Sequence, residues 1–158
     1  MRFMTFTVVA ATLVAVGTFA IAGGHASAKQ LEGAAKVRQA HMQLYNFNLA
    51  TLGSMAKGAI PYDAAAAQAA ADNLAALANM SEQGYWLEGS DSDAVEGSRA
   101  LPAAWATGND LSAKQQMMAD AAMDMQGAAG QGIDGIKGQI GAVGAACGAC
   151  HKAYRQPK

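Results

Sequence analysis

The run Cys147-Gly148-Ala149-Cys150-His151 sets two thiols three residues apart, with an imidazole directly after the second. On one helical face that spacing lets each thiol form a thioether with a vinyl group of a haem, while the histidine is held beneath the iron as proximal ligand. The stretch is therefore read as the attachment site of one haem c, bonded through Cys147 and Cys150 and ligated by His151. The chain has two cysteines in all, and both lie here. Other chemistries of the same residues fit less well. A thioredoxin-like redox pair expects a βαβ pattern around it, and none is visible. A structural zinc site needs four ligands, and Cys147, Cys150 and His151 supply three. A disulfide between Cys147 and Cys150 would close a loop too short to stabilise much.

The far side of the iron has three possible occupants: Met42 through its thioether, His41 through its imidazole, or no residue. A Met/His iron is low-spin and fully coordinated in both oxidation states, which suits electron transfer. A vacant sixth position would be high-spin and open to diatomic gases such as nitric oxide or carbon monoxide. Which residue faces the iron depends on the elements that carry them.

The first residues are read as a cleavable export signal, residues 1–28. Arg2 supplies a short positive start, Thr7 to Gly23 is almost unbroken apolar sequence, and Ala26-Ser27-Ala28 fits the small-x-small rule for cleavage after Ala28. The apolar run is short for a membrane span and ends in small residues, so no span is expected after cleavage. Export to the periplasm suits haem c, which is attached outside the cytoplasm. The remaining 158 − 28 = 130 residues, 29–158, make one domain. Removing Arg2 leaves 10 basic and 12 acidic residues, a net of −2, without a basic stripe, so no nucleic-acid partner is expected.

Abundant alanine, few β-branched residues and no period-two alternation predict an all-α domain. Four helices follow. The first spans about Leu31 to Lys57, with Leu31, Ala35, Arg38, Met42, Tyr45, Leu49 and Leu52 recurring at spacings of four and three as a bundle-facing stripe. Gly58 and Pro61 end it. The second starts on Asp63 as N-cap and runs to about Met80. Ser81 to Leu101 is a long polar connection, pinned by Tyr85, Trp86 and Leu87, of a length that often carries function. The third begins near Pro102, includes Trp105, and re-initiates on Asp110. The fourth covers about Ile133 to Arg155, with Cys147 and Cys150 on its core-facing stripe. Five glycines between Gly135 and Gly148 weaken that helix, and close approach of a neighbouring helix or of the haem face would account for them.

Short turns between most of these helices predict an antiparallel four-helix bundle, which brings the start of the first helix beside the end of the fourth. Arg38 and Met42 then share a level with His151. Met42 lies on the bundle-facing stripe and His41 about 100° away from it, which favours Met42 as sixth ligand. Simple core packing is the alternative reading of a methionine there. Arg38 on an apolar face needs a partner, either a haem propionate or the solvent it reaches by snorkelling. Arg155, one turn after His151, is placed to shape the imidazole's surroundings or to favour the helix C-terminus as a cation. No acid–base pair or activated nucleophile is visible, so no catalytic residue is assigned and the chain is not expected to be an enzyme.

Lys36-Val37-Arg38-Gln39, Met42, Lys57-Gly58 with Pro61-Tyr62-Asp63, Ser98-Arg99-Ala100-Leu101-Pro102 with Trp105, and Ala146 to Arg155 together resemble class II c-type cytochromes, the cytochrome c′ and cytochrome c-556 type. The resemblance covers essentially all of residues 29–158, and the C-terminal placement of C-x-x-C-H is its most specific part. It implies a left-handed four-helix bundle, often a homodimer, with the haem at one end between the helices. It further implies thioethers at Cys147 and Cys150, His151 on the iron, Arg38 and Gln39 near the propionates, Arg155 as basic neighbour of the imidazole, and Met42 at the distal position. The Ser98-Arg99 segment departs from the usual Thr-containing form and is not carried over. The expected role is a periplasmic monohaem electron carrier meeting redox partner proteins. The alternative is a five-coordinate cytochrome c′ that takes up nitric oxide or carbon monoxide.

Overall fold

The computed structural model describes residues 26–157; the signal-peptide reading of residues 1–28 falls almost wholly outside them. Four helices are present: α1, Ala28–Ala56; α2, Ala64–Ala78; α3, Leu111–Ala128; and α4, Ile133–Tyr154. They pack in a ring, each against the next and α4 back against α1. The expected antiparallel four-helix bundle is the fold. Among the described residues no helix is long and apolar enough to cross a membrane.

Local chemistry sets the helix ends. The Ser27 backbone N–H donates to Gln30 Oε1 at 2.8 Å across the first turn of α1. Gly58, at φ 70°, turns the chain out of that helix in a conformation that glycine adopts without strain. The Asp63 carboxylate caps α2 by accepting from the Ala66 N–H at 2.7 Å. The expected third helix is split: Pro102–Trp105 is an isolated 3₁₀ turn, and α3 begins only at Leu111. Tyr62 fastens the corner before α4, donating to Ala129 O at 2.9 Å and accepting from the Gly132 N–H at 3.0 Å.

Leu52, Leu74, Met125, Ile136 and Val143 are fully buried, one or two from each helix, and alanines such as Ala67, Ala71 and Ala122 fill the space between them. Small side chains at these contacts leave room for the helices to pack closely.

One expectation needs correction. The buried face of α1 is broader than the stripe read in the sequence: Ala35, Arg38 and Leu52 of the stripe are buried, Ala34, His41, Asn48 and Met55 beside it are buried too, and Met42 is 40% exposed. The reason is the connection after α2, which folds over the His41 flank of α1 and covers a side that periodicity left to solvent. The glycines of α4 also do not share one cause. A Cβ at Gly135 would collide with Ala128 O, so close approach explains that residue. Gly138, Gly141, Gly144 and Gly148 meet no other group of the chain within 4 Å.

Candidate functional site

One end of the bundle opens into a cavity of about 690 Å³ between α1, α3, α4 and the connection from 79 to 110. All seven residues singled out in the sequence line it: Arg38, Gln39 and Met42 from α1, and Cys147, Cys150, His151 and Arg155 from α4 and its end. The two helices that the topology was expected to bring together thus form two walls of one space. His41 does not line it. Its ring is buried behind α1, 4.8 Å from the Tyr45 ring and 5.6 Å from that of Tyr85.

The α4 wall is held in register by the last residues of the helix. Tyr154 donates from its phenol to Asp110 and accepts from the Asp110 N–H at 2.9 Å. The Leu101 N–H donates to Tyr154 O at 2.9 Å, and an isolated antiparallel bridge joins Ala100 to Arg155. These contacts fix where His151 stands, one turn before Arg155. Cys147 and Cys150 are half-buried, and burial pushes the pKa of each side chain above the ordinary thiol value. Cys147 Sγ lies 3.8 Å from Met118 Sδ, an apolar neighbour. Burial lowers the His151 pKa, and the positive charges of Arg155 and Arg99 lower it further, so the neutral imidazole with its lone pair is favoured.

Arg38 is buried, 6% exposed, and the snorkelling alternative is excluded. Its Nη1 donates to Tyr85 O and to Ser90 Oγ at 2.8 Å, and its Nη2 to Ser90 O at 2.5 Å and Ser98 Oγ at 3.3 Å. The guanidinium carbon lies 5.1 Å from the Trp86 ring centroid and 5.5 Å from that of Trp105. Burial lowers its pKa, with Asp91 and Glu82 opposing. Gln39 Nε2 donates to Gly97 O at 2.6 Å. Both residues line the cavity, yet these donors serve the connection rather than the open space. Nothing in the local sequence announces that clamp.

The sequence also passed over Glu82, Trp86, Arg99, Gln115 and Met118, all of which line the cavity. Trp86 reads from the sequence only as a pin for the connection, and Arg99 belongs to the segment that departs from the family pattern. A polar segment rich in glycine and serine hides Glu82, Trp86 and Arg99, because nothing in its local pattern says which side chains turn inward.

The donor set suits a haem c. Two thiols and an imidazole stand on one wall of an otherwise largely apolar cavity, a thioether lines the same cavity from α1, and arginines approach from the connection and the chain's end. Among the described residues no three His, Cys, Asp or Glu side chains are grouped to hold a lone metal ion.

Comparison with known proteins agrees. The family model described as Cytochrome C' matches residues 33–155. A cytochrome c-554 from Cereibacter sphaeroides is 41% identical over 129 residues, covering 82% of this chain and 97% of the relative. The solved cytochrome c' from Rhodobacter Spheriodes superposes with a TM-score of 0.78 at 31% identity, over 84% of this chain and all of that one. A ferrous variant of the Alcaligenes xylosoxidans protein with bound NO, 30% identical, gives a TM-score of 0.69 over 81% of this chain and 97% of its own.

Proposed function

The chain belongs to the cytochrome c′ family, whose cofactor is haem c, and on that premise we propose that it is a periplasmic electron carrier with Met42 and His151 as axial ligands. The observation that carries this reading is the placement of Met42 on α1 and of Cys147, Cys150 and His151 on α4 around a single cavity. Residues 1–28 would be the export signal and residues 29–158 the mature domain.

Bound there, haem c supplies a one-electron iron couple. The chain's part is to attach, orient and shield it. Cys147 and Cys150 would hold the group in thioether linkage, and His151, next to Cys150 on α4, would ligate its iron. His151 keeps a neutral imidazole, the form that ligates, because it is half-buried beside two arginines. Tyr154 and the Ala100–Arg155 bridge limit how far that imidazole can move, which keeps rearrangement on electron transfer small. Arg38 holds the connection over the cavity and places Trp86 in its wall. Arg38, Gln39 and Arg155 would face the propionate side, Arg38 through whatever donor capacity the connection leaves.

A second reading is iron left open at its sixth position to take up a diatomic gas; what supports it is the ferrous Alcaligenes xylosoxidans relative solved with bound NO. Carbon monoxide added to the reduced protein separates the two. Slow or negligible binding with a low-spin spectrum is expected for the electron carrier. Rapid binding at low concentration by a high-spin protein would overturn Met42 ligation and leave the gas-binding reading.

A further inference from the structure

Glu82 is the one acidic side chain among the described residues that line the cavity, against four cations, Arg38, Arg99, Lys114 and Arg155. Its position is built rather than incidental. Oε2 accepts from Trp86 Nε1 at 2.7 Å and from Gln115 Nε2 at 2.6 Å, which ties the connection to α3. Oε1 lies 3.9 Å from His41 Nδ1, and the side chain is 17% exposed. Two N–H groups of different elements thus hold one carboxylate at a fixed point of the wall. The charge reaches a residue beside it: after burial, it is the next cause that pushes the Tyr45 pKa up.

We propose that Glu82 is the residue that holds the haem reduction potential down, by placing a fixed negative charge in the wall of the haem cavity. This rests on the haem reading of that cavity. The physical argument is electrostatic. Ferric haem carries one more positive charge than ferrous, and a carboxylate held inside the wall stabilises the ferric state more than the ferrous one. Screening by water is weak for a charge this shielded. The four cations act in the opposite sense, so Glu82 partly offsets them. The role is one of tuning: nothing requires Glu82 to touch the reacting group.

The test is an equilibrium redox titration of the haem-loaded protein, followed by its absorption spectrum. Glu82→Gln keeps the shape and an acceptor oxygen for Trp86 and Gln115 but removes the charge. At a fixed poise near the wild-type midpoint its ratio of reduced to oxidised protein should rise about tenfold, which for a one-electron couple is about 59 mV upward. Glu82→Asp, which restores the charge, should return most of that shift. Gln115→Ala removes a donor and keeps the charge, so its potential should stay at or below the wild-type value; this second variant also serves if Glu82→Gln does not fold. A potential unmoved in Glu82→Gln, or raised in Gln115→Ala, would overturn the proposal and make Glu82 a tie between the connection and α3. Either result would be read in coloured, low-spin protein, whereas failure of the haem reading would show as colourless protein.

Discussion

Tyr154, the last residue of α4, and Asp110, the residue before α3, bond each other in both directions: the phenol donates to the Asp110 carboxylate and accepts from the Asp110 N–H. Lys114 adds an ion pair to the same carboxylate at 2.8 Å. One exposed aspartate thereby fixes the end of the helix that carries the C-x-x-C-H motif.

Acid should loosen that joint. Lys114 first and Tyr154 second hold the Asp110 carboxyl below its ordinary value, and Gln126 and Gln68 do the same for Asp72. A carboxyl whose folded pKa is depressed contributes stability that is complete above the unfolded value near 4 and is lost as pH falls through the lower folded value. Asp110→Asn should therefore melt below the wild type at pH 7, with the gap shrinking as the pH falls below about 4. A gap that stays constant across that range would remove Asp110 from the acid response.

Met42→Ala should convert a low-spin spectrum to a high-spin one and open the ferrous protein to carbon monoxide. Absorption spectra of both oxidation states read it directly. An unchanged low-spin spectrum would take Met42 out of the coordination sphere.

Arg38→Leu should cost about 2–4 kcal/mol in denaturant unfolding, because Tyr85 O, Ser90 O and two serine hydroxyls lose a charged donor in buried surroundings. Arg38→Lys should recover less than half, since an ammonium lacks the planar fork that spans Ser90 and Ser98. Limited proteolysis should cut between residues 81 and 101 in both variants sooner than in the wild type.

The glycines of α4 should divide by position. Gly135→Ala drives a methyl into Ala128 O and should destabilise the bundle. Gly141→Ala and Gly144→Ala meet no neighbour of the chain and should each stabilise by about 0.5–1 kcal/mol through helix propensity. Thermal melts of the three variants suffice.

The sequence carried the helices because their signals are local: Asp63 after Pro61, Gly58 past the end of α1, and the three–four spacing through Ile136 and Val143. It also brought Met42 and His151 to one end of the bundle, since antiparallel topology alone does that. What it could not carry was the contribution of non-helical chain. Periodicity tells which face of a helix is apolar and not what covers the other faces, so His41 reads as turned outward although Glu82 and Tyr85 lie over it. Arg38 is recognisable as a costly charge in need of a partner, but its partners sit 47 to 60 residues away in a segment without regular structure. Glu82, in the same segment, reads as an ordinary solvated acid until the fold turns it inward.

Ser98 Oγ donates to Ser90 O at 2.8 Å, and Arg38 grips both residues from below. The two stems of the excursion between them are thereby pinched shut. Val95, 7% exposed, tucks back toward the body, and both ends of the excursion are tied to the walls: Gly97 O accepts from Gln39 Nε2 at 2.6 Å, and the Ser92 N–H donates to Ala100 O at 2.7 Å. Residues 93–96 consequently form a detachable tip: they can be lengthened, grafted with a tag or exchanged for another loop without disturbing the walls behind, provided one apolar side chain still plugs the place of Val95.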